Sequence, residues 1–223
     1  MTATAAIPLR IDFVSDVVCP WCAIGLASLE QALQRLQGEV VADVHFQPFE
    51  LNPQLGPEGE DIAGHLKRKY GMDDVQLAQN QERIRQRGAE LGFAFDMHGR
   101  SRTFNTFDAH RLLHWAEGEG RQRELKHALL RAYFSDGRDV SDRDTLVAVA
   151  TGAGLDPDRA RQVLDSNEFA EDVRIAERFF TEAGITGVPA IIIERQHLIS
   201  GGQPPEVFER ALREIAAAKT GAG

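Results

Sequence analysis

The chain has 223 residues, 43% of them hydrophobic, enough to bury a core without a metal or a disulfide to hold it. A formal charge of −9 argues against a generic phosphate-binding surface, and so against nucleic acid as a partner. The opening MTATAAIPLRIDF has no basic segment followed by a long apolar run, and no run of about 18 uncharged apolar residues occurs; neither a signal peptide nor a membrane span is expected, and the cytoplasm is the default compartment.

In chain order, Leu9, Ile11 and Phe13 alternate with polar neighbours and predict a first strand over residues 9–15. After Pro20 the period changes. Cys22, Leu26, Leu29, Leu33 and Leu36 follow one helical stripe that ends at Gly38. Ala42, Val44 and Phe46 then alternate with Asp43, His45 and Gln47, giving a second strand before the Pro/Gly-rich loop ELNPQLGPEGE. A strand, a helix and a strand joined this way imply a parallel pair.

From about residue 58 to 184 strand signals nearly vanish, while helix starts recur at Ser141 with Asp144 and at Asp156 followed by Pro157. The last helix of this stretch, at about 166–184, carries Phe169, Val173, Ala176 and Phe180 on one face and stops at Gly184. Strand returns over residues 190–194, turns at Arg195-Gln196, and comes back over residues 197–200 as a hairpin. A final helix with Phe208, Leu212 and Ile215 on one stripe precedes a tail, KTGAG, expected to fray.

The order β-α-β, helices, α-β-β-α is an α/β thioredoxin fold with a large all-helical insertion between its βαβ and ββα halves. The expected division is discontinuous: residues 1–57 and 185–223 form the thioredoxin-like domain. Residues 58–184 form the helical insertion, whose last helix packs back on the sheet.

The chain's two cysteines, Cys19 and Cys22, stand in SDVVCPWC at the junction of the first strand and helix. A zinc site needs about four ligands, and no His or Cys cluster elsewhere completes one, so no metal is expected. A staple across so short a loop restricts the unfolded chain little. The spacing suits a disulfide that forms and breaks at a helix start. Pro20 fits the first turn, where its missing N–H costs nothing. Cys19 then meets unpaired N–H groups and the positive end of the helix dipole, and is expected to be the exposed, low-pKa nucleophile. Cys22 shares the stripe of Leu26 and Leu29 and is expected to be the buried resolving thiol. Trp21, between them, is expected to shape the substrate groove with Pro20.

A second constellation is GITGVPAIII. In a thioredoxin layout the proline before the third strand is cis and packs beside the dithiol; Val188-Pro189 stands at that place. The generic preference of X–Pro bonds is trans, and position in the fold overrides it. Val188 and Pro189 are expected to hold an extended substrate segment as an added strand.

With both pieces on the page, the chain resembles the DsbA-like thioredoxin family, and within it the FrnE-like branch. The resemblance rests on SDVVCPWC, PFELNP, TFNTFDAHRLLHWA, AYFSDGRDVSD, and GITGVPA followed by SGGQ. It implies a cytoplasmic protein disulfide oxidoreductase acting on disulfide-containing or dithiol proteins or peptides. No cofactor is expected to be tightly bound, and glutathione is admissible as a redox partner. An alternative is a glutathione-dependent isomerase or transferase, like the kappa-class glutathione transferases and hydroxychromene-carboxylate isomerases, which typically carry serine where this chain has Cys19. A third reading is a binding module that kept the fold without catalysis.

Asn105 and His110 of the segment NTFDAHRL are candidates to face the dithiol from the insertion; the competing reading makes Asn105 a helix cap and His110 a packed or solvated side chain. Asp16, and with it Asp12, is a candidate carboxylate beneath the dithiol that shuttles the proton of the resolving thiol, against an ordinary capping or solvated role. His65, His98 and His114 are dispersed and suggest no site.

Overall fold

The computed structural model describes residues 6–96 and 101–221; His98 lies outside the described residues. In chain order the elements are β1 (Ile7–Ser15), α1 (Pro20–Arg35), β2 (Val40–Pro48), β3 (Glu60–Asp61), α2 (Ile62–Tyr70), α3 (Asp74–Glu90), β4 (Arg102–Thr103) and α4 (Phe107–Gly118). They continue as α5 (Gln122–Phe134), α6 (Arg143–Gly152), α7 (Pro157–Asp165), α8 (Ala170–Glu182), β5 (Ala190–Ile193), β6 (His197–Ser200) and α9 (Pro205–Gly221).

The main sheet has the order β2-β1-β5-β6, with β1 parallel to β2 and antiparallel to β5, and β5 antiparallel to β6. Leu9, Ile11 and Phe13 of β1 are fully buried and join Leu26 and Leu29 of α1 with Phe208 and Leu212 of α9 in one core. Val14, of opposite parity, packs instead with Phe180 of α8, Ile185 and Ala190. Both faces of the central strand are therefore covered, as a thioredoxin fold requires.

Helices α2 to α8 lie between β2 and β5 in sequence. Four of them close a ring, α4 against α5, α5 against α6, α6 against α7 and α7 against α4, while α4, α5 and α8 rest on β2. Their apolar stripes, including Leu112, Leu129, Leu146 and Val163, are continuous with the core of the sheet. Among the described residues the strand content of this stretch is the two-residue antiparallel pair of β3 and β4, too short to leave any period in the sequence. No described helix is long and apolar enough to cross a membrane.

Several boundaries differ from the sequence expectation. α1 ends at Arg35, and Gly38, with φ 85°, turns the chain into β2. The cap of α6 is Asp142, whose carboxylate accepts from Thr145 N at 2.8 Å; the Ser141 hydroxyl is engaged by Asp139 at 2.6 Å. α8 starts at Ala170, and Phe169 stands outside it with φ 59°. The reason lies in Arg111 of α4. Its buried guanidinium donates to the carbonyl oxygens of Ser166 at 2.6 Å, Glu168 at 3.0 Å and Val163, and so holds the α7–α8 connection out of the helix.

In the β5–β6 hairpin the two left-handed residues are Glu194 and Arg195, with φ 53° and 56°, and Gln196 N donates to Ile193 O at 3.1 Å. Glu194 is held there by Arg10 N at 2.7 Å and Lys219 at 2.7 Å. The same Lys219 donates to Pro8 O at 2.9 Å, so α9 continues into the segment expected to fray.

Replacing Arg111 by leucine takes its donors from the buried Val163 carbonyl and from those of Ser166 and Glu168, and is expected to lower the unfolding free energy by about 1–3 kcal/mol. Urea melts check this; an unchanged midpoint would mean the connection supports itself.

Candidate active site

The site is built on the start of α1. Pro20 occupies the first helical position and Cys19 the N-cap, with φ −90° and ψ 114°. The Cys19 carbonyl accepts from Cys22 N at 3.0 Å and Ala23 N at 3.4 Å. Where α2, α3, α6 and α7 are capped by an aspartate carboxylate, α1 has no side-chain cap and no acidic residue in its first turn. The positive end of its dipole is left facing the Cys19 sulfur.

Cys22 lies one turn on and is 0% exposed. Burial pushes its thiol well up, the neighbouring Cys19 adds to this, and Lys126 opposes it. Cys19 is not the exposed residue the sequence suggested: 4% of its surface is accessible. Its thiol points at the chain segment before β5 and donates to Val188 O at 3.6 Å. The Val188–Pro189 peptide bond is cis, and Pro189 is buried. Beside it runs an open groove of about 310 Å³ lined by Ile185, Thr186, Val188, Leu198 and Ser200.

Two glycines that sequence reading passed over let these pieces meet. A Cβ on Gly25 would lie 3.0 Å from Pro189 Cγ; one on Gly202 would lie 2.9 Å from Trp21 O. The first turns of α1, Pro189 and the loop after β6 are thus packed so closely that a side chain at either glycine would have to displace a neighbour. Trp21 is half-buried against the core, with the Arg83 guanidinium of α3 5.2 Å from its ring. Arg83 also lines a second opening of about 430 Å³, with Tyr70, Gln76 and Asn80.

Asp16, just past β1, is fully buried behind the dithiol. Its backbone O accepts from Cys19 N at 3.3 Å, its carboxylate accepts from Leu51 N at 2.7 Å, and Oδ1 lies 3.5 Å from His110 Nε2. At that separation the imidazole stands beside the carboxylate, and its Nε2 makes no hydrogen bond to a described residue. Burial alone would raise the Asp16 carboxyl; His110, Leu51 N–H and Thr106 together outweigh it and hold the group below the ordinary carboxylate range.

His110, from α4, therefore comes to the dithiol's neighbourhood through Asp16. Asn105 does not. Its carbonyl oxygen accepts from Phe107 N at 2.9 Å and its amide donates to Pro53 O at 3.3 Å, tying the start of α4 to the loop after β2. Asp12 is engaged by Arg10 at 2.7 Å and Gln47 at 2.8 Å. His65 pairs with Glu60, and the His114 ring packs on Phe169. Among the described residues no group of three or more His, Cys, Asp or Glu side chains is placed to hold a metal ion.

One residue near the dithiol was missed altogether. Lys126 of α5 is 0% exposed, and its ammonium lies 6.0 Å from the centre of the Phe46 ring. Its electrostatic neighbours are Cys22, then Asp16, then Cys19. The signal was available: Gln122, Lys126, Leu129 and Tyr133 form a buried helical stripe, and a lysine in that stripe faces inward.

Compared with known proteins, residues 10–213 match the family model described as a DSBA-like thioredoxin domain. Among solved structures, the chain is similar to a probable DsbA oxidoreductase, SCO1869, from Streptomyces coelicolor, with 36% identity and a TM-score of 0.88 over 94% of this chain and 90% of that one. The protein YwbO of Bacillus subtilis is 28% identical over 92% of this chain and 96% of its own length. The cytosolic disulfide reductase DsbM from Pseudomonas aeruginosa, solved with glutathione, shares the fold, with 19% identity and a TM-score of 0.64 over 92% of this chain and 98% of that one.

Asp16 is lowered in the folded protein, so its contribution to stability is full above the unfolded value, about 3.9, and is lost as pH falls through the lower folded one. His110→Leu removes its partner and is expected to shift acid unfolding to higher pH and to cost about 1–3 kcal/mol near neutrality. Denaturant melts across pH 2–7 test this; an acid transition identical to the parent protein's would show that His110 does not support the carboxylate.

Proposed function

The chain belongs to the DSBA-like thioredoxin family, and on that premise we propose that it exchanges disulfides through Cys19 and Cys22. The observation that carries this reading is the asymmetry of the pair: Cys19 sits at an uncapped helix start against the carbonyl of Val188, a residue that lines the open groove, while Cys22 is sealed one turn behind it.

In the reducing direction the Cys19 thiolate attacks one sulfur of a substrate disulfide. A Cys19–substrate bond forms and the other substrate sulfur leaves as a thiolate. Cys22 loses its proton and attacks Cys19 Sγ, breaking the mixed bond and closing the Cys19–Cys22 disulfide. The substrate gains two electrons and two protons; the pair is oxidised. Run backward, the same steps oxidise a dithiol.

Val188, Pro189, Pro20 and Trp21 border the approach to Cys19 and are assigned to substrate binding. The groove fits an extended peptide laid beside Val188. Substrates are accordingly disulfide-containing or dithiol proteins or peptides. Glutathione is a reasonable small redox partner, supported by the fold shared with DsbM, which was solved with it; that protein's cytosolic description also supports the cytoplasm as the compartment. Residues 1–57 with 185–223 are taken as the thioredoxin-like unit, and 58–184 as the insertion. Its segments TFNTFDAHRLLHWA and AYFSDGRDVSD support the FrnE-like branch.

A glutathione redox titration, followed by Trp21 fluorescence and by mass after acid quench, is expected to show a reversible Cys19–Cys22 disulfide. Retention of glutathione with no internal disulfide at any ratio would contradict the dithiol mechanism and favour a glutathione-dependent isomerase or transferase. An inert Cys19 would favour a binding module.

A further inference from the structure

A lysine with no surface exposure costs several kcal/mol unless something buried repays its charge. Among the described residues, the Lys126 ammonium has no hydrogen-bond partner and is accompanied by the Phe46 ring. The charged and titratable groups that face it come from three other elements. Cys19 and Cys22 come from α1, Asp16 from the end of β1, and His110 stands behind Asp16 on α4.

Asp16 already has Leu51 N–H and His110 against its carboxylate. Cys22, the first of Lys126's electrostatic neighbours, is sealed one turn into α1, and among the described residues Lys126 is the one cation that acts on its thiol, beside a lesser contribution from the Asp16 backbone. Lys126 is therefore placed where a second anion appears only during the reaction. Burial lowers the lysine's own pKa, and Cys22, Asp16 and Cys19 oppose that by favouring its charged form.

Building on the dithiol reading, we infer that Lys126 is a positioning residue for the resolving thiol: its ammonium stabilises the Cys22 thiolate that must form inside the protein before the mixed disulfide is resolved. The proton of Cys22 ends on one of the two departing substrate thiolates, and Lys126 keeps its own. Cys22 then forms the bond to Cys19 Sγ as the Cys19–substrate bond breaks, so the charge that Lys126 stabilises passes to the leaving sulfur. The helical insertion thereby supplies α5's cation to chemistry carried by the first helix.

The test mixes the reduced full-length protein with oxidised glutathione, quenches with acid at intervals, and reads mixed and internal disulfides by intact mass. Lys126→Met keeps the length and removes the charge; Lys126→Gln is the second variant. Both are expected to accumulate glutathione on Cys19 and to close the internal disulfide at least about tenfold more slowly, with the pH midpoint of closure moved up by about one unit. Formation of the mixed disulfide is expected to change far less.

Melting temperature separates this from a packing role. An apolar replacement of a buried charge is expected to leave the melting temperature equal or higher. A lowered melting temperature with closure and its pH midpoint unchanged would overturn the inference while leaving the dithiol reading intact. Failure of the parent protein to form any internal disulfide would overturn the dithiol reading itself, and this inference with it.

Discussion

The close contact between the first turns of α1 and the Val188–Pro189 segment is the constraint on which the candidate site depends. Proline at the first helical position and a cysteine at the cap give the helix a start with no carboxylate on it. Glycine at positions 25 and 202 lets that start lie against Pro189 and the loop after β6, where a Cβ at Gly202 would meet Trp21 O at 2.9 Å and one at Gly25 would crowd Pro189 at 3.0 Å. The result is a thiol bonded to the backbone carbonyl of Val188, which itself lines a groove. A larger residue at either glycine would open the contact before it altered any reacting group.

Behind the thiols the protein interior is unusually rich in ionisable groups. Asp16, His110 and Lys126 are all buried, and they come from β1's end, α4 and α5. A little farther out Glu50 is raised, by burial first and Glu177 second, while Arg174 bonds to both carboxylates and stacks on Phe107. Such groups cost stability in an apolar core, and a thioredoxin-type sheet does not need them to fold. Their concentration behind the dithiol is what a reaction that creates and moves negative charge in a sealed space would require.

Much of the fold was legible because its signals are local. The alternation in β1 and β2, the stripe of α1 and the Pro157 start of α7 each follow from a few neighbouring residues. What escaped was set by distant partners. Arg111 of α4 holds the α7–α8 connection out of helix, and Lys219 near the end of the chain secures Pro8 and Glu194. The site divides the same way. The positions of Cys19 and Cys22 follow from one strand–helix junction, whereas the near-complete burial of Cys19 depends on Val188, 169 residues away. The sequence offers His110 as a candidate and carries no indication that Asp16 is its contact. Lys126 was overlooked because lysines usually face solvent, although its place in a buried stripe said otherwise.

The proposed chemistry rests on an inequality between two thiols three positions apart. Limited alkylation of the reduced protein, with peptide mapping after a short exposure to iodoacetamide, measures it directly. Label is expected on Cys19 first, with Cys22 modified only slowly or after unfolding. Label appearing on Cys22 first, or on both at the same rate, would contradict the division into attacking and resolving thiols.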